Sequence, residues 1–279
     1  MMLQCGRAVI LFTSCFALPL FADCFSSVNT ASEGRLRQVT DELERLYPCA
    51  TFSQRAKAGQ SYQPAPGCTY GEFTEFPQGI RFFYQVVDTC RGLAVESRQD
   101  DLVFIDLGSG AGRALLSAAR LWKWKHCVGV EISPQLHELA LEALERFETI
   151  ISEDAASAIS LYCTAFEDDT AQELLSGSTF RGKDQSIVAF TYSTAFPTDD
   201  NGALSWLAPS LSCLPRGSIV VTIDHPLFAH PETTSLAQVL SKNNAGQRTA
   251  SFKLRCTLKG ASCYGADGLD AEAFIYEKV

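Results

Sequence analysis

The sequence has no CxxC pair among its eleven cysteines, no internal repeat, no low-complexity tract and no dense basic cluster. Each absence excludes something. Without cysteine pairs at ligand spacing there is no zinc ribbon or finger, and an odd number of thiols at irregular spacing is a poor disulfide framework. Cys127 and Cys163 lie inside apolar runs, where a thiol behaves as a small hydrophobe, so free thiols and no metal site are expected. Lys and Arg number 23 against 32 Asp and Glu, a net charge of −9. That balance lends no support to nucleic-acid binding, which needs clustered cations to displace counterions. Lys123, Lys125 and His126 form the densest basic group and read as a solvated helix end. The uncharged stretch from Ala8 to Phe21 falls short of the ~20 residues that a membrane-spanning helix needs. Arg7 before it and Ala22 after it fit a signal-peptide outline. Thr13, Ser14 and Pro19 within it suit instead an apolar segment packed on the domain, and both readings stay open.

What the chain does have is material for a core. Its 279 residues are 46% hydrophobic and 20% charged, the profile of an ordinary globule of one good-sized domain plus an extension. Residues 1–24 form the apolar N-terminal segment, 25–68 a helical arm and a Pro/Gly-rich loop, and 69–279 the main domain. The stretch from Ser32 to Tyr47 has leucines at helical spacing. After the loop, Pro77 suits the first turn of a helix through "QGIRFFYQVVDTCRGL".

Strand-like and helix-like runs then alternate. "LVFIDLG", "KHCVGVEIS", "ISLYCTAF", "SIVAFTYS" and "SIVVTID" read as strands. Between them, "GRALLSAARLW", "QLHELALEALERF", "TAQELL" and "GALSWLAPSL" read as helices, the second capped by Ser133 and Pro134 and the last interrupted by Pro209. "TASFKLRCTL" and "AEAFIYEKV" read as a closing antiparallel pair. Parallel strands need helical crossovers, so this order predicts an α/β fold, a Rossmann-like, mostly parallel sheet with helices on both faces. With the closing pair it resembles the seven-stranded sheet of class I methyltransferases.

The first strand leaves the core through "FIDLGSGAGR", Phe104 to Arg113. Glycines there admit a tight turn or the close approach of a ligand. A dinucleotide wants G-x-G-x-x-G so that its pyrophosphate meets a helix N-terminus. Here Gly108, Gly110 and Gly112 are spaced G-x-G-x-G, and Asp106 stands two residues ahead. An acid at that place discourages phosphate and favours a cationic ligand without one, which S-adenosylmethionine is. Glu131, closing "VGVE", is placed to accept both ribose hydroxyls.

With "TYGE" at Thr69 to Glu72 upstream and the aromatic "VAFTYSTAF" downstream, the sequence resembles the disruptor-of-telomeric-silencing (Dot-type, non-SET) family of protein-lysine methyltransferases. The resemblance covers roughly Gly67 to Ile223. It implies S-adenosylmethionine as cofactor, a lysine of histone H3 as acceptor and a nuclear or cytoplasmic location; a true signal peptide would instead imply a secretory or organellar one. It places cofactor contacts on Tyr70, Gly71, Glu72 and Phe73, on Asp106, Leu107, Gly108, Ser109, Gly110, Gly112 and Arg113, on Glu131, and on Ala165 and Phe166. Ala165 lacks the carboxylate that the family sets against adenine, and Glu167 or Asp168 is its candidate substitute. The segment that reads Asn-Asn-Phe-Ala-Phe in the family is here Tyr192, Ser193, Thr194, Ala195 and Phe196. Tyr192, Ser193 and Thr194 are the candidates to orient the acceptor amine, with Phe196 and Tyr70 as channel walls. Asp224, at the end of the fifth strand, is a weaker candidate, while His225 and His230 read as loop residues. A monomer acting on a protein lysine is expected, with two rivals: a methyltransferase for another protein or a small molecule, and a non-catalytic module that binds the cofactor.

Overall fold

A computed structural model describes residues 30–48, 54, 57–58, 80–94, 101–151, 156–180, 186–193, 196–229, 237–243, 246–261 and 270–279. In chain order these give helices α1 (Thr30–Leu46) and α2 (Ile80–Leu93), then β1 (Val103–Leu107), α3 (Arg113–Leu121), β2 (His126–Glu131), α4 (Pro134–Ile150) and β3 (Ile159–Cys163). They continue with α5 (Asp169–Leu175), β4 (Ile187–Thr191), a 3₁₀ turn (Ser210–Cys213), β5 (Ile219–Ile223), β6 (Ala237–Asn243), β7 (Gly246–Ala261) and β8 (Asp270–Lys278).

The strands form one sheet in the order β3-β2-β1-β4-β5-β8-β7-β6. β1 to β5 are parallel neighbours, and β8 runs antiparallel to β5. The α/β class and the closing antiparallel pair are as expected from the sequence. The sheet has eight strands rather than seven: β6, which pairs only with β7, adds an outer antiparallel edge. Its sequence, AQVLSKN, has too few β-branched residues to announce itself. "GALSWLAPSL" is also different from its helical reading. Leu204 donates its N–H to Pro226 and Trp206 Nε1 donates to the Pro197 carbonyl, which holds the segment as turns; the 3₁₀ turn begins only after Pro209.

The central parallel strands β1, β4 and β5 are buried on both faces and β2 nearly so, as parallel strands between helices must be, whereas the edge strand β3 is mostly half-buried. Alternate residues divide between two cores. Phe104, Val188, Phe190 and Val221 face α1 to α4. Ile105, Ala189 and Val220 face α5 and the turns around Leu207 and Leu211. Strand order reverses at β1, with β2 on one side and β4 on the other, so the ligand crevice of such a sheet lies at the carboxyl ends of β1 and its neighbours.

The arm helix α1 is part of the first core. Leu36, Val39, Leu43 and Leu46 recur at helical spacing and are buried in the same cluster as β1. Its polar side is tied down as well: Arg35 donates to the Leu121 carbonyl, Arg120 pairs with Glu42 at 2.6 Å, and Arg146 donates to the Leu46 carbonyl. Leu43→Ala should therefore cost about 2–5 kcal/mol in urea unfolding, as for a fully buried leucine. An unchanged midpoint would show that the arm does not share the core.

Candidate cofactor and active site

The loop after β1 is built from three left-handed glycines: Gly108, Gly110 and Gly112 have φ of +77°, +55° and +86°. L-residues resist that conformation, which is why the turn alternates glycine with other residues. Gly108 and Ser109 both donate their N–H to the Val130 carbonyl, at 2.8 and 3.0 Å, and Gly112 donates to Ser109 at 2.8 Å. A Cβ on Gly108 would lie 2.8 Å from the Phe196 ring, so close approach as well as φ requires glycine there. Gly129, in the middle of β2, serves the same loop from below. A Cβ at that point would come within 2.9 Å of the Ser109 hydroxyl and of Leu115 Cδ2. The sequence reading passed over Gly129, although a glycine inside a strand signals such an approach.

Two buried carboxylates flank the loop. Asp106 is 1% exposed and lies in register between Gly129 of β2 and Phe190 of β4. Glu131 is 4% exposed, and its two oxygens accept from Gly110 N and Ser133 N, both at 2.8 Å. That carboxylate thus joins the glycine loop to the start of α4, where the Ser133 hydroxyl accepts from Leu136 N in the expected cap. Cys163 is in register with Glu131 across β3. Its thiol is pushed above the ordinary range by desolvation first and then by the charges of Glu131 and Glu138, so it stays a thiol and a poor nucleophile.

Arg113 corrects the sequence reading. Its side chain, 2% exposed, turns away from the crevice: Nη2 pairs with Glu44 at 2.8 Å, and the guanidinium lies 4.8 Å above the Tyr47 ring. An arginine bound to the arm in this way is not placed to meet a cofactor carboxylate. Ser193 also takes a different role. Its hydroxyl donates to the Ile223 carbonyl at 2.5 Å and accepts from Ile223 N at 3.0 Å, sewing the end of β4 to β5. Its one proton is committed to backbone, which gives it a structural role between the two strands and leaves only a lone pair for an acceptor. Asp224, at φ +66°, is similarly tied to β8: it donates its N–H to Glu272 O and accepts from Glu272 N. Asp168 is folded into its own turn, accepting from Thr164 Oγ1 and Ala165 N, which hold its carboxyl below the usual range. Both bonds fall on Oδ2, so Oδ1 is the oxygen left for the role of the missing acid at Ala165.

The aromatic residues do converge. Phe166 and Phe196 have ring centroids 6.0 Å apart, and Trp206 joins both, 6.3 Å from Phe166 at 14° and 5.8 Å from Phe196. Trp206, 36% exposed, is the outermost of the three and was read in the sequence only as part of a helix. Tyr192 is half-buried against the first core. Tyr70, Gly71, Glu72, Phe73 and Thr194 lie outside the described residues.

This sheet order, with a glycine loop after β1, an acid closing β2 and an antiparallel strand beside β5, is the class I S-adenosylmethionine-dependent methyltransferase fold. Within that class, the family model described as histone methylation protein DOT1 matches residues 48–162, so the family resemblance stands over that segment. The chain is also similar in structure to a putative RNA methyltransferase of Pyrococcus horikoshii (TM-score 0.45, 12% identity, covering 88% of this chain and 98% of that one). Magnesium protoporphyrin IX methyltransferase of Synechocystis with bound SAM gives a TM-score of 0.43 at 12% identity, covering 88% and 97%. At these scores the two structures add nothing to the topology already described. A search of curated protein sequences returned no match.

Ser193→Ala should lower the unfolding free energy by about 1–2 kcal/mol, the cost of a lost buried hydrogen bond, and leave cofactor affinity within twofold. Wild-type stability together with lost affinity would return Ser193 to the binding site.

Proposed function

We propose that the chain transfers methyl groups from S-adenosylmethionine to the side-chain amine of a protein lysine. One observation carries the cofactor. A bare, left-handed glycine loop is flanked by two buried carboxylates, while the nearby buried cation, Arg113, is turned onto the arm. A pyrophosphate would meet charge of its own sign there, whereas an adenosyl sulfonium brings a cation and hydroxyl donors. The DOT1 match supports the lysine acceptor.

In this reading Glu131 takes the ribose, Phe166 packs on the adenine, and Asp106 with the loop backbone holds the methionine part. Tyr70, Gly71, Glu72 and Phe73 are the further cofactor contacts that the family resemblance implies. The cofactor supplies a methyl group on a sulfonium, an electrophile that needs alignment more than covalent help. The protein must present a neutral amine, which costs about 4–5 kcal/mol at pH 7 for an ordinary lysine. Phe196 and Trp206 contribute by keeping water from the approach, since a desolvated ammonium gives up its proton more readily. Tyr192 and Thr194 remain the candidates to orient the amine.

The test is incubation of the purified chain with methyl-labelled cofactor and, in parallel, nucleosomes, free histones and whole-cell extract. Label is expected on a lysine side chain. Label found only on a small molecule or an RNA would contradict the acceptor. Gly110→Arg should abolish cofactor binding in calorimetry with an unchanged circular dichroism spectrum, because a side chain at φ +55° fills the hollow. The pH dependence follows from the nucleophile. Only the neutral amine reacts, so kcat/KM should rise close to tenfold per pH unit between pH 7 and 9. A flat profile over that interval would argue against an amine acceptor.

A further inference from the structure

We infer that Tyr47, at the end of the arm helix α1, is a positioning residue of the cofactor site and couples arm docking to cofactor binding. The inference rests on the reading of the glycine loop as the cofactor seat, and goes beyond it.

Tyr47 follows α1 directly, is buried, and donates its hydroxyl to the Ala111 carbonyl at 2.8 Å. That carbonyl and the Gly112 N–H are the two ends of one peptide unit. The N–H end donates to the Ser109 carbonyl, also at 2.8 Å. The unit between Ala111 and Gly112 is therefore clamped from both sides, once by the loop itself and once by a residue 64 positions away in sequence. Loops of left-handed glycines lose much backbone entropy on ordering, and a glycine-flanked peptide unit is the kind that flips readily. A flip here would reverse the carbonyl and N–H that the loop presents and would unseat Gly112 from the start of α3.

The ring is held in turn. Arg113 lies over its face at 4.8 Å and pairs with Glu44, one turn back in α1, at 2.8 Å. A Cβ on Gly112 would come within 3.8 Å of the Tyr47 oxygen and 3.4 Å of Ala140 Cβ, so the phenol closes down on the bare backbone. Glu44, Tyr47 and Arg113 thus form a continuous contact from the arm to the loop. Arm and cofactor both favour the same loop conformation, so by linkage each favours the other.

Tyr47→Phe keeps the ring and its stacking and deletes one hydrogen bond. Three measurements on the full chain decide the matter. Without any nucleotide, hydrogen exchange at the Gly112 amide should be severalfold faster in Tyr47→Phe than in wild type. With S-adenosylmethionine, calorimetry should show a Kd about fivefold to tenfold weaker, while kcat at saturating cofactor stays within twofold. In wild type the cofactor should slow exchange of the α1 amides from Val39 to Leu46, and in Tyr47→Phe this protection should shrink. Val86→Ala serves as comparator, because it opens a cavity in the same core from α2, outside both the arm and the loop in sequence. It should lower global stability and leave both Kd and Gly112 exchange unchanged. Unchanged Kd and Gly112 exchange in Tyr47→Phe would overturn the inference, as would α1 exchange indifferent to cofactor in wild type. If wild type binds no S-adenosylmethionine, the methyltransferase reading falls, and the nucleotide-free Gly112 comparison still decides the role of Tyr47.

Discussion

The site depends on a turn that the chain would not adopt unaided. Three left-handed glycines in five residues are stable because most peptide units of the loop are held from outside. The Val130 carbonyl takes two N–H groups, the Glu131 carboxylate a third, and the Tyr47 hydroxyl the Ala111 carbonyl. β2 supplies the first two of these contacts and the arm helix the last. The cofactor hollow is thus assembled by elements that lie before and after the loop in sequence, and its shape is a tertiary property.

Charge follows the same logic. Burying Asp106 and Glu131 beside bare backbone costs free energy unless N–H groups or a cationic ligand compensate. Glu131 meets two backbone N–H groups, and Arg113, the buried cation that follows the loop, is engaged by Glu44. In the proposed reading this rim discriminates by sign, disfavouring phosphate and favouring a sulfonium with its ammonium. This is also why the chain's acidic balance is compatible with its proposed chemistry, since nothing in the site asks for a polyanion.

Much of this was legible from residues alone. The parallel core appears as continuous apolar runs, and the glycine spacing with Asp106 and Glu131 marks the strand ends that border the crevice. The cap at Ser133 was equally plain. What could not be read were the partners of side chains. Arg113 follows the last glycine and looks like a ligand contact, but its partner Glu44 lies 69 residues away. Ser193 sits where a hydroxyl orienting the acceptor amine would be expected, and only the pairing of β4 with β5 reveals that its proton goes to the Ile223 carbonyl. Tyr47 carries no motif at all, and Trp206 was hidden by a pattern that Pro209 and the Leu204–Pro226 hydrogen bond turn into bends. Local pattern encodes backbone class; long-range pairing decides which polar groups are still available for chemistry.

The central claim is that the hollow seats an adenosyl sulfonium and rejects phosphate. Parallel calorimetric titrations of the wild-type chain with S-adenosylmethionine, S-adenosylhomocysteine and NAD test it most directly. The account predicts saturable binding of the first two and none of NAD at the same concentrations. NAD binding, or heat from none of the three, would contradict it.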